Sequence, residues 1–179
     1  MHVELTRERL PFIKGVDAIG YGAKDTGAMG GGAAAAILAA SGPELISAAQ
    51  RKLASTTRRV GVAVVTDSFG LRKSGITHVC HIISIITNTP QGDWCPYPEK
   101  LYDGVKSGLE QLLEVNAKVV AISALATGEG RVKPRDAARL MLTAIRDFHS
   151  MPDNRKLEVI LSLPNYDDSE AFEYYLSRL

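Results

Sequence analysis

The sequence predicts a three-layer α/β/α domain. Several short segments are apolar at consecutive positions, as in strands covered on both faces. Segments with apolar residues at helical spacing alternate with them. Two of the strand-to-helix junctions are glycine-rich loops, and sheets of this kind hold their ligands at the carboxyl ends of strands. With 179 residues the chain fits one domain over 1–179, long enough for a core without metals or disulfides.

The elements follow in order. HVEL is a short first strand. Val16–Tyr21 is a buried strand that feeds the first glycine loop, GAKDTGAMGGG. Glycine is poor inside a helix and alanine is the best helix former, so the seam between Gly32 and the alanines after it starts a helix running to about Ala40. Ser41-Gly42 ends it, and Pro43 opens the next helix, on which Leu45, Ile46, Ala49 and Leu53 share a face. Val60–Thr66 and Thr77–Ile86 read as strands. Leu101, Val105, Leu109 and Leu112 mark a helix from about Pro98 to Val115. Lys118–Leu125 is a continuous apolar strand followed by the second glycine loop, ATGEGRVKP. Pro134 stands where a helix accepts proline, and Ala137, Met141, Ala144, Ile145 and Phe148 line its buried face. Leu157–Leu163 is the last strand, and a short amphipathic helix runs from Ser169.

Composition narrows the function. The net charge is +1, so no charged field points to nucleic acid. The two cysteines, Cys80 and Cys95, have neither disulfide nor zinc spacing, and no metal or cofactor is expected. The beginning, MHVELTRERL, lacks the apolar core of a signal peptide, and no stretch is apolar for long enough to span a bilayer. A cytoplasmic protein without membrane contacts is the expectation.

The two glycine loops carry the chemistry. The first, with Gly30, Gly31, Gly32 and Ala33, leads into a helix N-terminus, where free N–H groups and the helix dipole favour anions. The second, with Thr127, Gly128, Glu129, Gly130 and Arg131, offers further N–H groups, a hydroxyl and a guanidinium. Two such loops on one edge suit a diphosphate. Neither has the G-x-x-x-x-G-K-[ST] pattern, and the first lacks the G-x-G-x-x-G spacing. Ordinary turn glycines are the alternative for either loop taken alone.

Val16-Asp17-Ala18-Ile19, then Met29-Gly30-Gly31-Gly32-Ala33, then Ser41-Gly42-Pro43-Glu44-Leu45, stand in an ordered series. His78-Val79-Cys80-His81-Ile82 and Ala126-Thr127-Gly128-Glu129-Gly130 continue it. The series resembles the macro domain family over nearly the whole chain. The resemblance implies a mixed sheet between helices. It also implies binding of ADP-ribose or a related nucleotide, free or carried on a macromolecule, with both glycine loops on the diphosphate.

The chain departs from that family pattern where the family's chemistry sits. Lys24 stands where the resemblance places an asparagine of the distal ribose, Tyr21 replaces an earlier asparagine, and Ala34 stands where hydrolases of the family carry an acid. The adenine-reading aspartate falls on Glu8-Arg9, of which Glu8 is the candidate. The expectation is therefore a binding module, with an ADP-ribosyl hydrolase using Lys24 or Asp25 as the alternative. Lys24 and Asp25 read either as a solvated pair or as cleft groups, Lys24 with an ammonium on a phosphate or an amine at the ribose carbon. Tyr166 reads as an adenine-stacking ring or a cover for the following helix. Trp94 and Tyr97 read as loop pins or rim aromatics, Glu129 and Arg131 as a surface pair or a phosphate clamp. His81 reads as a satisfied strand histidine before a catalytic one.

Overall fold

A computed structural model describes residues 2–179, with residue 155 as backbone alone; Met1, the first residue of the expected domain, lies outside them. The strands are β1 (Val3–Thr6), β2 (Ala18–Lys24), β3 (Ala63–Asp67), β4 (His78–Thr89), β5 (Gly92–Trp94), β6 (Val119–Ser123) and β7 (Glu158–Ser162). The helices are α1 (Gly32–Ser41), α2 (Glu44–Ala54), α3 (Leu101–Glu114), α4 (Pro134–His149) and α5 (Tyr166–Leu176). The sheet runs β1-β7-β6-β2-β4-β3, with β5 paired to β4. β1, β7, β6, β2 and β4 are mutually parallel, and β3 and β5 run antiparallel to β4, so the sheet is mixed.

Alternation along β2 divides the core. Ile19, Tyr21 and Ala23 pack with Ile37 of α1, Leu45 of α2 and Met29. Ala18 belongs to the opposite layer, with Val105 and Leu109 of α3, Met141 and Phe148 of α4 and Phe172 of α5. Helices thus cover both faces, as the consecutive apolar positions require. The chain leaves β2 toward one face and leaves the adjacent β6 toward the other. Their carboxyl ends therefore part into a crevice, the place where open α/β sheets bind ligands. Asp17 fixes the other end of this strand pair, its carboxylate accepting the Lys118 N–H at 2.9 Å.

Three boundaries differ from the sequence expectation in ways that shape the crevice. The strand expected to end at Tyr21 continues to Lys24, because β4 keeps pairing with it as far as Ile85 across an irregularity between Ala23 and Lys24. Gly22 permits this: a Cβ there would stand 2.6 Å from Ser84 Oγ. The long strand β4 then turns back as the short hairpin strand β5, which the expected elements lack. The last helix begins at Tyr166, three residues before the expected Ser169, because the Asn165 side chain caps it, accepting the Asp167 N–H at 2.9 Å. Among the described residues no single helix is long and apolar enough to cross a membrane.

Candidate functional site

The crevice holds a cavity of about 400 Å³. The first loop and the start of α1 supply Gly30, Gly31, Gly32, Ala33 and Ala34 to its wall, and the second loop supplies Ala126, Thr127, Gly128 and Glu129. The two glycine loops therefore meet in one cleft. A second cavity, about 250 Å³, shares Gly32, Ala33, Ser123, Ser162 and Pro164 with the first and extends it toward Arg9, Leu10 and Pro11.

The three glycines differ. Gly32 has φ +54°, a left-handed conformation in which a side chain is strained. Gly31 is extended, and what stands above it is the end of Glu129: a Cβ on Gly31 would lie 2.7 Å from Glu129 Oε1. Gly30 faces open space. Gly31 is the N-cap of α1, and no side chain among the described residues caps that helix. A helix start made of glycine and alanine leaves its first N–H groups for another partner, and an anion is the chemistry they favour.

The second loop is built differently. Gly130 packs against its own chain: a Cβ there would stand 2.6 Å from the Ala126 carbonyl oxygen and collide with Ala126 Cβ. Ala126 and Arg131 both have positive φ, 60° and 59°, and the Val132 N–H closes the loop on the Ala126 carbonyl at 3.0 Å. Gly128 faces open space beside the cavity. Arg131 turns away from the cavity, and its Nη2 donates to the Gln91 carbonyl at 3.0 Å on the β4–β5 hairpin. Neither Gly130 nor Arg131 lines the cavity. Glu129 does not pair with Arg131 as a surface ion pair either, since its carboxylate lies 2.7 Å from Lys24 Nζ.

Lys24 is a cleft group, and it is paired. Its ammonium also donates to Asp93 Oδ2 at 3.2 Å. The Glu129 hydrogen bond foremost, with Asp93 behind it, raises the lysine pKa above the ordinary value, against the opposing effect of burial. The neutral amine needed for attack on a ribose carbon is therefore disfavoured at neutral pH. Asp25 points elsewhere. Its Oδ1 accepts the Thr87 N–H at 3.1 Å and the Thr87 hydroxyl at 2.9 Å, tying the end of β2 to β4 outside the cavity.

The remaining expected groups scatter. Glu8 lies in a separate shallow depression with Arg9, Phe12 and Lys14, and it is Arg9 that reaches the second cavity. The backbone of Glu8 still bears on the site, because its carbonyl accepts the hydroxyl of Ser162, a wall residue, at 2.6 Å. Tyr166 is 64% exposed, under the Arg7 guanidinium at 5.6 Å, and lines neither cavity. Trp94 is half-buried on β5 and Tyr97 is exposed, and both also lie off the cavities. His81 is fully buried, hydrogen bonded to the Tyr21 hydroxyl at 2.8 Å and to Thr66 Oγ1 at 2.9 Å. Burial lowers its pKa to about 3, so it is a neutral core ring.

Sequence reasoning misses two acids. Asp93 reaches Lys24 only through the hairpin strand β5. Asp168 joins the cavity wall because Asn165 starts α5 early, and Asn followed closely by two acids is a readable helix start. The Asp168 Oδ2 accepts the Thr127 hydroxyl at 3.1 Å, while its buried Oδ1 has no hydrogen-bond partner among the described residues. Burial, more than any other influence, raises its pKa.

Known proteins agree with this architecture. The macrodomain of Oceanobacillus iheyensis with ADP superposes with a TM-score of 0.78 at 21% identity, over 99% of this chain and 93% of that one. The Trypanosoma brucei macrodomain in complex with ADP-ribose superposes with a TM-score of 0.76 at 19% identity, over 98% of this chain and 69% of that one. At these identities the likeness establishes the shared fold. The sequence model of the family described as Macro domain matches residues 22–141, a span that begins in β2, takes in both glycine loops and ends in α4. The chain belongs to the macro domain family.

Proposed function

We propose that the chain binds ADP-ribose or a related nucleotide diphosphate in this cleft, as a binding module. The observation that carries the reading is the uncapped glycine-alanine start of α1, which lines one cavity together with the Thr127–Gly128 segment. Two sets of N–H donors on one cavity match two adjacent phosphates. The contiguous second cavity, with Leu10, Pro11 and Pro164, offers an apolar slot for a base. The solved relatives that hold ADP and ADP-ribose support the same ligand class. Hydrolysis draws no support from Lys24, held as an ammonium, from Asp25, bound to Thr87, or from Ala34, which has no group to manage a proton.

Calorimetric titration with ADP-ribose, ADP, AMP and adenosine tests this. ADP and ADP-ribose should bind at least about tenfold more tightly than AMP, the equivalent of about one hydrogen bond to a charged group. Equal, weak binding of all four would remove the diphosphate site.

A further inference from the structure

Lys24 and Glu129 of the cleft wall form an ionic bridge with Asp93 that joins the end of β2, the second loop and strand β5. The Glu129 carboxylate spans two anion-attracting features at once. Oε2 is 2.7 Å from Lys24 Nζ, and Oε1 lies above Gly31, the cap position of the uncapped helix α1. A carboxylate paired with an ammonium, its other oxygen beside the cap residue of an uncapped helix, stands where a ligand anion would. We propose that Lys24 is itself a ligand-binding residue of this cleft, and that Glu129 stands in for the ligand's phosphate on it until the ligand displaces it. This rests on the nucleotide-diphosphate reading above.

The exposures show which partner yields. The Glu129 side chain is 48% exposed and that of Lys24 19%, so the carboxylate swings into water while the lysine stays. Asp93 keeps its contact and holds the ammonium in place when Glu129 leaves. The charges also favour exchange. With Glu129 seated, one ammonium faces two carboxylates, and an incoming phosphate meets net negative charge. With Glu129 released, Lys24 balances Asp93 and the phosphate approaches the helix start without repulsion. A diphosphate carries more charge than a carboxylate and contacts both loops, so it wins an exchange that a monoanion of carboxylate strength does not.

ADP binding to four full-length proteins tests the exchange: unmodified, Glu129→Gln, Lys24→Met and the double variant, each checked by thermal melting. Glu129→Gln should bind ADP about tenfold more tightly, because an anion no longer has to be expelled. Lys24→Met should bind about tenfold more weakly, and in the Lys24→Met background the Glu129 change should bring a much smaller gain. Should Lys24→Met fail to fold, Glu129→Gln alone decides. ADP bound equally or more weakly by Glu129→Gln than by the unmodified protein overturns the stand-in role and leaves the cleft reading intact. ADP bound by neither protein overturns the cleft reading itself. Binding seen only in Glu129→Gln supports both.

Discussion

The two glycine loops look alike in sequence, yet Gly30 and Gly31 of the first stand in surroundings opposite to those of Gly130 in the second. At Gly30 and Gly31 the missing side chains leave space that no backbone fills. Gly30 faces the open, and only a displaceable carboxylate end stands above Gly31. In the second loop the space at Gly130 is taken by the chain itself, by Ala126 Cβ, Cα and carbonyl oxygen. At Gly30 and Gly31 no backbone fills the space a side chain would take, whereas Gly130 has to be bare for its loop to close. A glycine cluster therefore marks a close approach without saying whether the approaching group is ligand or backbone. Substitutions separate the two cases.

The largest effect is expected at Gly130. Its φ is not positive, so the cost of Gly130→Ala is steric, and rigid backbone atoms cannot yield as a side-chain end does. Forcing an extra carbon into a filled site costs about 1–3 kcal/mol, and contact with backbone puts this site at the upper end. For a chain of this size that lowers the melting temperature by roughly 2–4 °C per kcal/mol, so a fall of about 6–12 °C is expected. A melting temperature within about 2 °C of the parent would show that the loop opens at little cost, and would erase the contrast between the loops.

Gly31→Val comes second and acts on binding. The added group meets the far end of the long, about half-exposed Glu129 side chain, which can shift where backbone cannot, so the melting temperature should change little. ADP affinity should fall by about tenfold or more, since methyl groups fixed over the helix start cannot be displaced as a carboxylate can. Unchanged affinity in a folded variant would place the phosphates elsewhere and make Gly31 an ordinary cap residue.

How much of this is legible in the sequence depends on the range of the interaction that sets each feature. The layers and most elements are readable, because burial on both faces writes consecutive apolar residues into β4 and β6, and helical spacing into α3 and α4. The meeting of the loops follows from strand order and the family pattern. Lys24 is readable as a residue type in a loop, but its place at the end of a strand is not, since that depends on β4 pairing with it. Asp93 is hidden for the same reason, 69 residues away in sequence and brought to Lys24 by a three-residue strand. Asp168 is within reach, because the Asn165 cap is a local signal. Tyr166 is the reverse case: an aromatic after the last strand suggests stacking, and the structure has its ring under Arg7, off both cavities.

The smallest effect is expected at Arg131, and it sharpens the comparison because the sequence points the other way. A guanidinium in a glycine-rich loop reads as a phosphate clamp, and a charge-assisted hydrogen bond of that kind is worth about 1.5–3 kcal/mol. The fold uses that side chain on the Gln91 carbonyl instead, fastening the second loop to the β4–β5 hairpin. The residue is exposed and its left-handed backbone, φ 59°, persists in Arg131→Ala. What the substitution removes is one surface hydrogen bond and a weaker charge interaction with Asp93, so stability should change by about 1 kcal/mol or less. ADP affinity should stay within about twofold of the parent, since neither the helix start nor the Thr127–Gly128 wall is touched. A loss of tenfold or more in calorimetry would mean that the guanidinium leaves Gln91 for the phosphate when ligand arrives. The second loop would then bind through a side chain as well as its backbone, and the contrast with the first loop would widen.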